Sequence, residues 1–198
     1  MDEVLARDGE VAVRLMRDDE ADYELVAAWR SDPRVLEFYG GRDDPLTVEA
    51  SRVEHRPQVT GEDPVRSCII LLNDEPIGYL QFVTELIPSE WPGAPAGFLE
   101  GAAAIDLFIG EPSLWGQGHG SRALAAMVGH LLEQGASRVL IDPVTSNARA
   151  IRAYRKVGFR QVTVMPRREL HEGELRDNLL MVADTTTRER RRTAGGTP

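Results

Sequence analysis

The sequence predicts a mixed α+β sheet, and three observations predict it. Strand-like and helix-like segments alternate in the order β-α-α-β-β-β-α-β-α-β-β. Two neighbouring strands, Arg66 to Leu72 and Ile77 to Thr84, flank the turn Asn73-Asp74-Glu75-Pro76 and read as an antiparallel hairpin. A third strand, Gly101 to Ile109, runs into a glycine loop that opens a long amphipathic helix.

The elements follow in order. Val11 to Met16 reads as the first strand. Asp18-Asp19-Glu20 then caps a helix, with acids at its positive end and Leu25, Val26 and Trp29 on one face. Pro33 is expected to stop it. A mixed segment, Val35 to Asp43, ends in a glycine turn. Its adjacent aromatics Phe38 and Tyr39 are expected to part, one to the core and one to a pocket. A second helix starts at Thr47. After the hairpin, Pro88 to Gly97 is a loop with three prolines that carries Glu90 and Trp91. Trp91 either packs under this loop or lines a site.

In the central strand, alternation sets Ala104, Asp106 and Phe108 on one face and Ile105, Leu107 and Ile109 on the other. Leu124, Met127, Val128, Leu131 and Leu132 form the core stripe of the next helix, which Gln134-Gly135 closes. Arg138 to Asp142 is a strand ending in an acid before Pro143. Ser146-Asn147 caps a short helix that Gly158 ends. Phe159 to Met165 and Leu179 to Ala183 are the last strands. Residues 1–184 read as one domain. The polar stretch 185–198, with four arginines between 188 and 192, reads as a disordered tail.

Composition narrows the function classes. The 198 residues are 42% hydrophobic, with mean hydropathy −0.29, as in a water-soluble globular protein. No apolar run nears the ~20 residues of a membrane helix, and Met1-Asp2-Glu3 does not resemble a signal peptide. Net charge is −9, which argues against nucleic acid as the main partner and permits a cationic substrate. The single Cys68 lies in an apolar strand and reads as a small core residue, fitting a cytoplasmic location. His119 and His171 are both expected in loops, no metal-ligand spacing occurs, and no metal is expected.

Trp115-Gly116-Gln117-Gly118-His119-Gly120-Ser121 is the chemically informative stretch. Glycines at every second position allow a tight turn that aims several N–H groups at one point. The helix that follows adds its own unpaired N–H groups, making an anion cradle suited to a pyrophosphate. No Gly-Lys-Ser/Thr follows, so this is not a P-loop. The third glycine of a dinucleotide fingerprint would fall at Ala123. Asp106, ionisable in an apolar run, is either costly to bury or useful.

Together with Asn147-x-x-Ala150-x-x-x-Tyr154-x-x-x-Gly158-Phe159, the loop and element order resemble the GNAT superfamily of acetyl-CoA-dependent N-acetyltransferases. Trp115 stands where that family usually has Gln or Arg. A narrower resemblance, over about 170 residues, is to the aminoglycoside 6'-N-acetyltransferases, including the acetyltransferase half of the bifunctional aminoglycoside-modifying enzyme. Its matching pieces are Val35 to Asp43, Pro76 to Tyr79, Asp106 with Phe108 to Pro112, Asp142-Pro143, Arg149 to Tyr154 and Glu169 to Gly173.

The resemblance implies a mostly antiparallel, twisted sheet flanked by helices and splayed at its central strands. It also implies acetyl-CoA as co-substrate. Gly116, Gln117, Gly118, His119, Gly120 and Ser121 would hold the pyrophosphate. Phe108, Ile109, Asn147 and Tyr154 would line the pantetheine. Asp106 is the candidate base, against a structural aspartate. Tyr154 is the candidate acid for the leaving thiolate, against a core tyrosine. Tyr39, Trp91, Asp106, Asp142, Glu172 and Asp177 are candidate substrate contacts, as acids and aromatic walls for a polycationic sugar. The expected reaction is direct attack of an aminoglycoside 6'-amine on acetyl-CoA, giving antibiotic resistance, in a monomer or homodimer. The alternatives are a GNAT enzyme acting on a siderophore hydroxylysine or a polyamine, and a non-enzymatic protein that binds cationic drugs or acyl-CoA.

Overall fold

The computed structural model describes residues 3–185, so the tail expected at 185–198 lies, but for its first residue, outside the described residues. The strands are β1 (Val4–Asp8), β2 (Val11–Leu15), β3 (Arg66–Leu72), β4 (Glu75–Val83), β5 (Ala102–Ile109), β6 (Arg138–Ile141), β7 (Arg160–His171) and β8 (Glu174–Asp184). They form one eight-stranded sheet in the order β1-β2-β3-β4-β5-β6-β8-β7. Every pairing is antiparallel except β5 with β6.

That exception makes the site. β5 and β6 pair only from Ala102 to Ala104 against Arg138 to Leu140. β5 then runs on to Ile109, paired with β4 as far as Gly78. β6 stops at Ile141, and Pro143 just beyond has no N–H for a ladder. The strands therefore part beyond Ala104, and a gap opens on the β6 side of Asp106.

Two helices cover one face of the sheet. α4 (His119–Glu133) and α5 (Ala148–Val157) pack Leu124, Met127, Leu131, Ile151 and Tyr154 against Val11, Val13, Ile70 and Ile105. On the other face, α1 (Glu20–Trp29) and α3 (Val48–Thr60) lie over Ala12, Ile69, Leu71 and Tyr79. The expected caps form: Asp19, Thr47 and Asn147 each accept a backbone N–H from three residues ahead, at 3.0, 3.2 and 3.0 Å.

Four expectations are corrected. β1 is a strand that the sequence reading did not include; it pairs with β2 around Gly9-Glu10. Pro33 does not merely end α1, because it is the first residue of the short helix α2 (Pro33–Leu36), a position where its missing N–H costs nothing. The β7–β8 hairpin is longer than expected, turning at Glu172-Gly173, both with positive φ. The two histidines are not in loops: His119 opens α4, and His171 ends β7 with its ring buried.

Candidate active site

A cavity of about 650 Å³ fills the gap between β5 and β6 and reaches the glycine loop. Asp106, Phe108 and Ile109 line it from β5, Asp142 from the end of β6, and Asn147 and Tyr154 from α5. Gly116, Gly118, His119, Gly120 and Ser121 form its far end. Gly116 and Gly118 have φ of 79° and 91°, a backbone that L side chains rarely adopt, and a Cβ at either would meet nothing within 4 Å. Conformation rather than space is what these two positions demand. Gln117 is an exception in the loop, because its amide turns out to donate to the Ser113 carbonyl at 2.9 Å. It does not line the cavity.

Electrostatics divides the cavity. At one end Asp106 is pushed up to about 7, chiefly by burial and then by the charge of Asp142. The Leu107 N–H donates to its Oδ1 at 2.8 Å and opposes the rise, as does the Tyr39 hydroxyl. Asp142 is pushed up to about 6 by burial, against the pull of Arg168, whose Nε lies 3.6 Å from its Oδ2. Asn178 donates to the Asp142 backbone carbonyl at 2.6 Å and to Glu169 at 3.1 Å, so it joins two acids of this wall. Its own Oδ1 is buried without a hydrogen-bond partner. At the other end, Arg149, Arg152 and Lys156 line the cavity from α5.

Tyr39 lines the cavity. Its ring meets Phe108 edge-on at 4.6 Å, and the Arg30 guanidinium lies 5.6 Å from it. Phe38 also lines the cavity, so the neighbouring aromatics do not split between core and pocket. Burial pushes the Tyr154 hydroxyl far above its ordinary pKa, so it remains a proton donor. The ring lines the cavity and is also packed beside Phe159 at 6.1 Å, so Tyr154 is at once a core residue and a cavity residue. Cys68 is fully buried, its thiol pushed up to about 12, and unsuited to carrying an acyl group.

Three expected substrate contacts do not line the cavity. Trp91 packs under its loop with Ala102, Ala104, Leu140, Met165 and Leu180. Arg168 lies over its ring at 5.7 Å and reaches Asp142. Glu172 accepts from the Arg42 Nε and Nη2 at 2.5 and 2.8 Å, and Arg42 holds it down to about 2. Asp177 is exposed and accepts the Arg167 N–H at 2.8 Å. The acid wall instead recruits Glu169 and Asn178, which sequence reasoning missed. Glu169 stood in a stretch already matched to the narrower family, and that was the available signal. Among the described residues there is no group of three or more His, Cys, Asp or Glu able to hold a metal, and no helix long and apolar enough to cross a membrane.

Comparison with known proteins agrees with this architecture. Aminoglycoside N(6')-acetyltransferase type 1 of Klebsiella pneumoniae is 33% identical over 161 residues, covering 78% of this chain and 76% of the relative. The crystal structure of aminoglycoside acetyltransferase AAC(6')-Ib with coenzyme A superposes with a TM-score of 0.72 at 29% identity, over 92% of this chain and 99% of that one. A complex of AAC(6')-Ib with ribostamycin and coenzyme A superposes with a TM-score of 0.74 at 28% identity, over 92% and 98%. The family model described as acetyltransferase (GNAT) domain matches residues 18–166, and the chain belongs to that family.

Proposed function

We propose that this protein transfers the acetyl group of acetyl-CoA to the 6'-amine of aminoglycoside antibiotics, by direct attack within a ternary complex. One observation carries the reading. A single cavity joins a glycine cradle and basic row at one end to a carboxylate wall at the other, with the splayed strand β5 between them. A polyanionic donor and a polycationic acceptor fit such a cavity in one orientation only. The names of the relatives agree with both ends.

The residues then divide the work. Backbone N–H groups from Gly116 to Ser121 hold the diphosphate. The exposed edge of β5 at Phe108 and Ile109 lies along the pantetheine, with Asn147 capping α5 beside it. Asp106 draws in the 6'-ammonium and takes its proton, directly or through a water. A carboxyl near 7 is a far better base than one at the usual 3.8. The freed lone pair attacks the thioester carbonyl, the C–N bond forms and the C–S bond breaks. Tyr154 supplies the proton that the leaving thiolate takes. Asp142 and Glu169 face a second ammonium of the sugar, and Tyr39 forms an aromatic wall. The product amide has lost one positive charge, and with it the drug is inactivated. Because the donor is a CoA thioester, the protein is expected to work in the cytoplasm.

An acceptor profile tests this reading. CoA release is measured with aminoglycosides, spermidine and N6-hydroxylysine at equal concentration. Turnover with aminoglycosides at least a hundredfold above the others is expected. Preference for either of the others would transfer the site to that amine, and binding of aminoglycoside without CoA release would remove the enzymatic reading.

A further inference from the structure

The basic end of the cavity contains an arrangement that the glycine cradle does not require. The Trp115 indole N–H donates to the Ile109 carbonyl at 2.7 Å and so pins the loop to the last residue of β5. The Arg149 guanidinium lies over the same indole, 4.1 Å from the ring centre. Trp115 belongs to the β5 side of the splay and Arg149 to α5, which follows β6. The stack therefore ties the two sides together. A guanidinium held over an aromatic face keeps an N–H edge free for hydrogen bonding.

That edge has no protein acceptor: Arg149 is exposed and makes no hydrogen bond or ion pair among the described residues. Arg152 and Lys156 follow at i+3 and i+7, line the same cavity, and are likewise without an ion pair among the described residues. In a chain of net charge −9, with acids available everywhere else, this is an unneutralised row of cations facing one cavity end. Arg168, at the opposite end, is by contrast held by Asp142.

We infer that Trp115 and Arg149 form a preorganised clamp for the diphosphate of the donor, Arg149 binding it and Trp115 acting as the positioning residue. The inference rests on the CoA-thioester reading of the cavity and deepens it. Stacking fixes the guanidinium before the ligand arrives, so little side-chain freedom is lost on binding. Trp115, where the family usually carries Gln or Arg, thus replaces a polar side chain in the loop by a platform for one from α5.

The test is equilibrium binding to the full chain, without acceptor, of CoA, 3'-dephospho-CoA and pantetheine. Arg149→Gln is expected to weaken CoA and dephospho-CoA about tenfold each and leave pantetheine unchanged, the size of one charge-assisted contact. Trp115→Leu is expected to do the same to a smaller extent, and the double variant to be no worse than Arg149→Gln alone. An equal loss for pantetheine, or no loss for CoA, overturns the clamp. A loss confined to CoA and absent for dephospho-CoA moves the contact to the 3'-phosphate and overturns the diphosphate assignment. Wild-type protein that binds no CoA would remove the underlying reading as well. Thermal melts of each variant separate misfolding from lost contact.

Discussion

Replacing Asp106 by Asn is expected to cost activity and raise stability at the same time. The carboxyl stands at about 7 in the folded protein against 3.8 for the free group. Each pKa unit corresponds to about 1.4 kcal/mol, so the ionised form carries a penalty of at most about 4 kcal/mol. Solvent in the open cavity screens part of it, and about 2 kcal/mol is a fair expectation. The sign follows from the direction of the rise. Below pH ~4 the group is protonated in both folded and unfolded chains, and no penalty exists. The penalty grows as pH climbs from 4 to 7 and is complete above it. Asn is neutral throughout and keeps an acceptor for the Leu107 N–H. Melts at pH 5 and pH 8 should show Asp106→Asn gaining about 4–8 °C over wild type at pH 8, and clearly less at pH 5. Over the same range kcat/KM of wild type should fall as pH drops through about 7, and the variant should lose about 100- to 10,000-fold and this limb with it. A variant no more stable than wild type at pH 8, or one with near-normal turnover, would refute the reasoning.

Further outcomes follow from the same geometry. Tyr154→Phe keeps the packing beside Phe159 and is expected to lower kcat about tenfold or more with an unchanged melting temperature, measured by CoA release and by calorimetry. Trp91→Ala should cost about 3–5 kcal/mol in urea unfolding through the cavity it leaves, whereas Glu172→Gln, which removes the charge that pairs with Arg42 and Arg176 away from the cavity, should leave acceptor KM within about twofold. Gly118→Ala forces an L side chain to φ 91° and should weaken CoA binding and cost about 1 kcal/mol of stability.

Much of this site was legible because its parts are local. Gly116 to Ser121, the Asn147 cap and the Gly158 stop are short-range patterns whose backbone geometry follows from residue type. Asp106 stood out because a charge in an apolar strand needs a reason, and the structure supplies one in the open β6 side of β5. The splay itself came from the resemblance; the local cause, Pro143 after a short β6, was visible but not read that way. What escaped depends on long-range register. β1 is an edge strand with no clear apolar face, so alternation gave no signal. Glu169 and Asn178 meet only because β7 and β8 extend well beyond their apolar cores, through Arg167, Arg168 and Glu169 on one arm and Arg176 and Asp177 on the other. Trp91 and Glu172 entered the candidate site as an aromatic wall and an acid, and Asp177 also as the match to an aspartate in the family's C-terminal segment. Type does not tell whether an acid meets an arginine first, as Glu172 meets Arg42, or a tryptophan meets a core.

The central claim is acetyl transfer to one particular amine. CoA thiol released from acetyl-CoA should be measured with kanamycin and, in parallel, with an aminoglycoside that carries a hydroxyl at the 6' position. Rapid release with kanamycin and background release with the 6'-hydroxyl drug is the predicted result. Equal release with both would contradict the assignment of the 6'-amine, and release with neither would contradict aminoglycosides as the acceptor.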